Sequence, residues 1–462
     1  MEGMANSTTL NRQMPKKYVA KWRKWGILAL SPLYLSLLST CFGLIAILTP
    51  PQWISIAMRE RDFMFFNPLM FIVIVFSEVA FISGLLFYAK SRRLTRIGVK
   101  KSPRILPSAR LLDKAIWLLV GSIIIEIMIG VIIVAKAGLG NILLALNNPI
   151  EGSQFRNHLL TLMRIHGVNM LVFQDAAYLA LIVAIFIVMC STRKSNKRVA
   201  GLMLAALGSV CYITVSLLTL TRWQVLQFLF SLGAIYLLYR NAQNGVARAK
   251  LVSYSVVIVV LSCSIFILVN ALKTNNSDID AIVGYTIGSY NIAASVVSGI
   301  VTQPFSGSTY GTLGAIWNAP ILGPHIRELG KLLGLDLPTG SGGAKNSWNA
   351  WRDALQSAGI NPAYNWDTVF GYVYGDIGIA FPIAFFVYGY ISEYLFNKFQ
   401  DLRLFGVMLY LPFFVSIITW FTSVFISNTA LDDDIIFSII IWLFIRHDWY
   451  AAMVPSKPLR SL

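Results

Sequence analysis

Runs of about twenty apolar residues return again and again along this chain, the first from Gly26 to Leu48. No other feature narrows the fold so far. A hydrocarbon core about 30 Å thick takes roughly 20 helical residues to cross. Within lipid every backbone N–H and C=O needs an internal partner, which a helix supplies inside one segment. The runs therefore predict an all-α, polytopic integral membrane protein. Composition agrees: 56% of the 462 residues are hydrophobic, 13% are charged, and mean hydropathy is +0.66. Those values exclude a soluble domain. The first run is too long for a signal-peptide core and lacks a small-residue cleavage site, so it reads as a retained span.

About ten transmembrane helices are expected, near 26–48, 67–89, 115–137, 168–190, 199–219, 223–239, 251–272, 372–396, 404–426 and 432–446. They divide the chain into a cytoplasmic tail (1–25), spans one to seven (26–272), a large external loop with interfacial helices (273–370), spans eight to ten (371–446) and a second cytoplasmic tail (447–462). With both termini inside, 27 of the 38 Lys and Arg residues fall on the cytoplasmic side. That is the positive-inside bias. It assigns the net charge of +17 to topology and to membrane lipids, not to nucleic acid.

The stretch from Ala281 to Thr302 is also long enough to span. Tyr285, Ser289, Asn291, Ser295 and Ser298 spread polar groups around it, so a helix at the outer interface or packed on the bundle is predicted instead. No internal repeat, direct or inverted, is visible. Cys41, Cys190, Cys211 and Cys263 are scattered through apolar segments without metal-type spacing. They read as core or lipid-facing residues, neither disulfides nor ligands.

Membrane proteins usually keep their loops short, so the polar interruption from Lys273 to Phe370, rich in Trp, Tyr, Asn, Gly and Pro, reads as a working surface. Its return to the membrane runs Asn365-Trp366-Asp367-Thr368-Val369-Phe370-Gly371-Tyr372-Val373-Tyr374-Gly375-Asp376-Ile377-Gly378. A carboxylate such as Asp376 just inside a span is costly unless it faces a polar cavity or a partner. Three closely spaced glycines permit close approach by a backbone or ligand. Asn365, Thr368 and Tyr374 suit sugar hydroxyls and ring faces. An interfacial aromatic belt with Asn and Thr capping the span accounts for the same residues.

Arginines supply the second theme. Arg222 follows Thr221 in a connection between two spans too tight for a real loop. It suits bidentate capture of a lipid pyrophosphate or, more plainly, snorkelling at a span end. Arg156 and Arg164, with His158 and His166 nearby, stand eight residues apart. They could share one helix face as an anion clamp, or mark a solvated amphipathic helix. His325, Arg327 and Glu328 follow Pro324 in the long loop, and Trp348, Trp351, Arg352 and Asp353 follow later. Rings beside charges suit carbohydrate, although each of these residues also has a structural reading. Glu78, Glu126 and Asp175 lie deep in spans two, three and four. They could form a proton path, pair with Arg222, or bind helix hydroxyls as neutral acids.

The Thr221–Arg222 pair, the large second-half loop and the pattern N-x2-T-x-F-x3-Y-x-D-x-G resemble the Wzy-type polymerases of bacterial O-antigen and capsule. Asn365, Thr368, Phe370, Tyr374, Asp376 and Gly378 occupy the motif. Where the family often has an aromatic between Asp and Gly this chain has Ile377, and where a glycine is usual after Gly378 it has Phe381. The motif covers fourteen residues (365–378), the topology nearly the whole chain. The resemblance implies a cofactor-free, metal-independent glycosyltransferase of the bacterial inner (cytoplasmic) membrane. Its substrates would be undecaprenyl-pyrophosphate-linked glycans, with a chain-length regulator protein as a further partner. Arg222 would then stabilise the pyrophosphate leaving group, helped by Arg156 and Arg164. Asp376, or else Glu328 or His325, would handle the acceptor proton. Asn365 and Thr368 would hold sugar hydroxyls or order the loop.

Two other readings share parts of the pattern. An O-antigen ligase has similar architecture and places arginine and a catalytic histidine in its loop, which His325 and Arg327 allow. A lipid-linked oligosaccharide flippase or transporter would instead show a charged central cavity, repeats and short gated loops.

Overall fold

The computed structural model describes residues 30–50, 52–53, 67–95, 104–105, 107–147, 155, 158–159, 162–165, 168–191, 196–219, 222–243, 287–303, 323–335, 343–362, 367–420 and 430–454. The fold is all-α. The helices are α1 (Pro32–Leu48), α2 (Pro68–Thr95), α3 (Ala109–Ala137), α4 (Leu139–Asn147), α5 (Val172–Cys190), α6 (Asn196–Leu218) and α7 (Arg222–Gln243). After them come α8 (Ser289–Val297), α9 (Gly323–Leu332), α10 (Gly343–Ser357), α11 (Val369–Ile377), α12 (Phe381–Gln400), α13 (Leu404–Ile418) and α14 (Ala430–Ala452). Two antiparallel pairs of two-residue strands complete the described chain: β1 (Arg104–Ile105) with β4 (Met453–Val454), and β2 (Arg164–Ile165) with β3 (Val168–Asn169).

Among the described residues six segments are long and apolar enough to cross a membrane, and α1, α7 and α13 add shorter apolar helices. Nine of the ten expected spans meet these helices; the seventh, 251–272, lies outside the described residues. The protein is thus a multi-pass membrane protein. Its spans present apolar side chains outward, as lipid requires: Phe76, Val79 and Phe87 on α2, Ile127 and Val131 on α3, Met203 and Val210 on α6.

The bundle is organised around α5. Every residue from Ala177 to Val188 is buried, as expected of a helix apolar on all sides, and α3, α6, α7, α13 and α14 surround it. A second pairing, α2 against α12, rests on missing side chains. A Cβ on Gly389 would come within 2.1 Å of the Phe81 carbonyl oxygen, and one on Gly84 within 2.1 Å of that of Phe386. Small residues let backbones meet in this way and gain packing where lipid offers no hydrophobic drive.

Several helices outrun the expected spans. α3 begins at Ala109 and α14 continues to Ala452. Hydropathy stops at the first charges, but the helices continue because those charges pair. Lys114 Nζ lies 2.7 Å from Asp448 Oδ2, and Lys197 Nζ lies 2.6 Å from Asp113 Oδ1. The β1–β4 bridge joins the same end.

The stretch at 281–302 resolves in favour of packing on the bundle. Its described part contains only the nine-residue α8, all of it buried, and Gly299 at φ +71° turns the chain out of the helix. Asn67 Nδ2 donates to Ser298 Oγ at 2.5 Å and Tyr290 hydroxyl to the Ser39 carbonyl at 3.4 Å. A helix of this length covers only about 13 Å. Cys41, Cys190 and Cys211 are free thiols; Cys263 lies outside the described residues.

Candidate functional site

The returning segment forms a helix, a break and a second helix. Thr368 is the N-cap of α11: its Oγ1 accepts the Gly371 N–H at 3.2 Å, and the Val369 N–H donates to the Trp420 carbonyl at 2.8 Å. The helix stops after Ile377 because Gly378 adopts φ +58° and ψ −136°, a conformation closed to side chains with a Cβ. A 3-10 turn (Gly378–Ala380) then leads into α12, with Pro382 in its first turn. Phe381, which stands where the related motif has glycine, is buried at the start of α12 and packs its ring 5.8 Å from that of Tyr374.

The motif residues divide by task. Phe370 is a core aromatic, stacked 5.7 Å from Phe385 and edge-on to Trp420 at 5.8 Å. Thr368 is fully buried, so its hydroxyl orders the turn instead of meeting a ligand from solvent. Tyr374 is half-buried, and Asp376 is buried in the last turn of α11. Asn365 lies outside the described residues.

The strongest polar contact at this point was not foreseen. Asp367 is fully buried, accepting from Gln303 Nε2 at 2.7 Å and from the Thr368 N–H at 2.6 Å. Burial holds its carboxyl well above the usual carboxylate range, against the opposing pull of those two hydrogen bonds. The carboxylate folds back over α11 because residue 371 is glycine: a Cβ there would meet Asp367 Oδ1 at 2.2 Å. In sequence, Asp367 reads as an ordinary acid beside a helix N-terminus. Gln303 stands 64 positions away, and no spacing rule joins the two. The one available signal was the glycine at 371, which announces a close approach without naming the partner.

A second polar group lies within the bundle, across α3, α5, α6, α7 and α14. Gln174 Nε2 donates to Ser216 Oγ at 3.1 Å, and the hydroxyls of Tyr178 and Ser231 share a hydrogen bond of 2.5 Å. Asp434 and Ser438 of α14 and Tyr212 of α6 are buried, and Asp175 of α5 is half-buried. Glu126 is fully buried, with no hydrogen-bond partner among the described residues. Asp434 escaped the sequence reading because it sits where the last span was taken to begin. Glu78 belongs elsewhere: it accepts from Ser36 Oγ at 2.7 Å and Thr40 Oγ1 at 3.2 Å on α1, the hydroxyl-binding arrangement considered for it.

Arg222 opens α7, with three residues between it and the end of α6 at Leu218, so the tight connection is present. Ser231 follows nine residues on, about 13 Å further along the axis. The bundle's polar group therefore lies below the Arg222 position. The shared helix face of Arg156 and Arg164 is overturned. Arg164 lies on β2, paired with Asn169 of β3, and Arg156 is outside the described residues. Gly167 and the β-branched Ile165 and Val168 favour a hairpin over a helix. His325 and Glu328 are exposed on α9, with Arg327 half-buried beside them. In the long loop Trp351 is a core residue, packed with Leu355 and Ile360 against Ile292 and Val296 of α8.

Among the described residues no cluster of His, Cys, Asp and Glu has metal-site geometry. Comparison with protein-family models, curated proteins and solved structures finds no match for this chain.

Proposed function

We propose that this protein is a glycosyltransferase that polymerises undecaprenyl-pyrophosphate-linked repeat units into O-antigen or capsule-type polysaccharide at the outer face of a bacterial inner membrane. One observation carries the reading. From Thr368 to Gly378 the motif is a capped helix, broken at its glycine, with the Asp367–Gln303 pair fixed at its start and Asp376 buried in its last turn. Each motif residue described there has a physical task that the spacing serves.

In the proposed reaction an acceptor sugar hydroxyl attacks the anomeric carbon of the lipid-linked donor. The bond from that carbon to the pyrophosphate oxygen breaks, and the lipid pyrophosphate leaves with the electron pair. Arg222, at the head of α7, meets the growing negative charge, with Arg164 and Arg156 as further cations. Asp376 takes the proton from the acceptor hydroxyl. Thr368 and Asp367 hold the returning segment in place, and Tyr374 offers a ring and hydroxyl to sugar. Both termini are cytoplasmic in this reading, with the segments from α8 to α10 on the opposite side.

Deletion in the host, followed by gel analysis of surface glycan and lipid-linked precursors, tests the proposal. Glycan reduced to single repeat units is the expected result. Long polymer retained on its carrier would mean a ligase, and units trapped on the inner leaflet a flippase. Complementation with Arg222→Ala or Asp376→Asn should restore little or no polymer. Unchanged chain length and yield in both would place the site elsewhere.

A further inference from the structure

The helix α9 is inside out for a loop in water. Its glycines Gly323 and Gly330 are buried and Arg327 between them is half-buried. At 100° per residue these three positions form one stripe, and that stripe faces the protein. Leu329 and Leu332 stand on the side away from that stripe and Leu333 follows the helix, 57%, 83% and 67% exposed. Gly334, at φ +73°, closes the helix, and the Leu335 N–H returns to the Gly330 carbonyl at 2.8 Å. Leu335, which that bond holds, is 54% exposed as well. An amphipathic helix serving only to cover a soluble loop would turn its leucines inward.

We propose that α9 docks on the lipid bilayer, its four leucines seated at the boundary between headgroups and acyl chains. Three observations select lipid as the occupant. The chain is an integral membrane protein, so a lipid surface adjoins its loops. The outward apolar side chains elsewhere, such as Ile379, Ile383 and Val387, belong to a span and already require hydrocarbon. Along its length α9 carries Arg327, Lys331 and His325 against the single acid Glu328. That balance suits anionic headgroups above a dipped apolar face. Docking would hold the long loop flat on the membrane, and it stands or falls independently of the glycosyltransferase reading.

The test uses the full-length protein with its four native cysteines replaced, reconstituted in vesicles of phosphatidylcholine and phosphatidylglycerol. A nitroxide is attached at Leu332→Cys or Leu333→Cys, with Glu328→Cys and Lys331→Cys as controls, after each variant passes size-exclusion chromatography. Collision rates with oxygen, which concentrates in acyl chains, are compared with those of a water-soluble nickel chelate. The expected result is an oxygen-to-chelate ratio several-fold higher at 332 and 333 than at 328 and 331. Free access of the chelate at 332 and 333 would overturn the proposal. So would shielding from both reagents, which would mean that protein covers the leucines, from this chain or a second copy.

Discussion

Asp367 shows how much one side chain can decide. Its carboxyl is fully buried and held by Gln303 and by the Thr368 N–H. Removing the amide with Gln303→Leu leaves a buried acceptor short of a partner, a loss of about 1–3 kcal/mol, seen as a lower melting temperature in detergent. A pH dependence follows as well. The folded carboxyl binds its proton more tightly than the unfolded one. Stability is therefore full below the ordinary carboxylate range and falls as pH rises through the raised value, by at most about 1.4 kcal/mol per pH unit for one site. Melting curves of the wild type should show that decline, and Asp367→Asn should flatten it. Parallel curves for the two proteins would sink the burial argument. Gly371→Ala tests the same contact from the other side, since the new Cβ would collide with Asp367 Oδ1. Loss of polymer with intact folding is expected there.

At the scale of elements, the break between α11 and α12 and the crossing of α2 with α12 depend on glycine for different reasons. Gly378 bends the chain through a backbone conformation that alanine resists. Gly378→Ala should cost about 1–3 kcal/mol, measured as a shift in chemical or thermal unfolding. A variant as stable as the parent would mean that the break is not held by this residue. Gly389 lets two helices touch. Gly389→Leu would force α12 away from Phe81, and fluorescence-detected size exclusion should find little monodisperse protein, whereas Leu86→Ile, on an exposed face of α2, should behave as the parent. Thr368 belongs to this scale too. As a cap it is worth about 1 kcal/mol, and Thr368→Ser should keep most of that where Thr368→Val does not.

For the whole molecule the open quantity is sidedness. The proposed topology, drawn from the positive-inside bias of arginine and lysine, puts the β1–β4 end in the cytoplasm and the segments from α8 to α10 outside. Labelling of single cysteines in intact cells with a membrane-impermeant maleimide checks this. A cysteine at Lys345 should react before lysis and one at Asp401 only after it. Reaction at Asp401 alone would invert the topology, and the proposed chemistry would then face the wrong compartment.

The sequence by itself determined the class of fold, the places of nine of the ten expected apolar helices and the tight turn before Arg222. Those depend on local periodicity, on length against a hydrocarbon slab, and on a few glycines and prolines, all of which act within one segment. It also marked the returning segment as unusual, through Asp376 and its three glycines. What only the tertiary structure decided is which groups meet. Gln303 reaches Asp367 across 64 positions, and Gln174 meets Ser216 and Tyr178 meets Ser231 between helices. Arg164 leaves a predicted helix for a hairpin, and α9 turns its leucines away from the protein. Such pairings arise when helices distant in the chain pack side by side, and the packing geometry is set by shapes that no local pattern encodes.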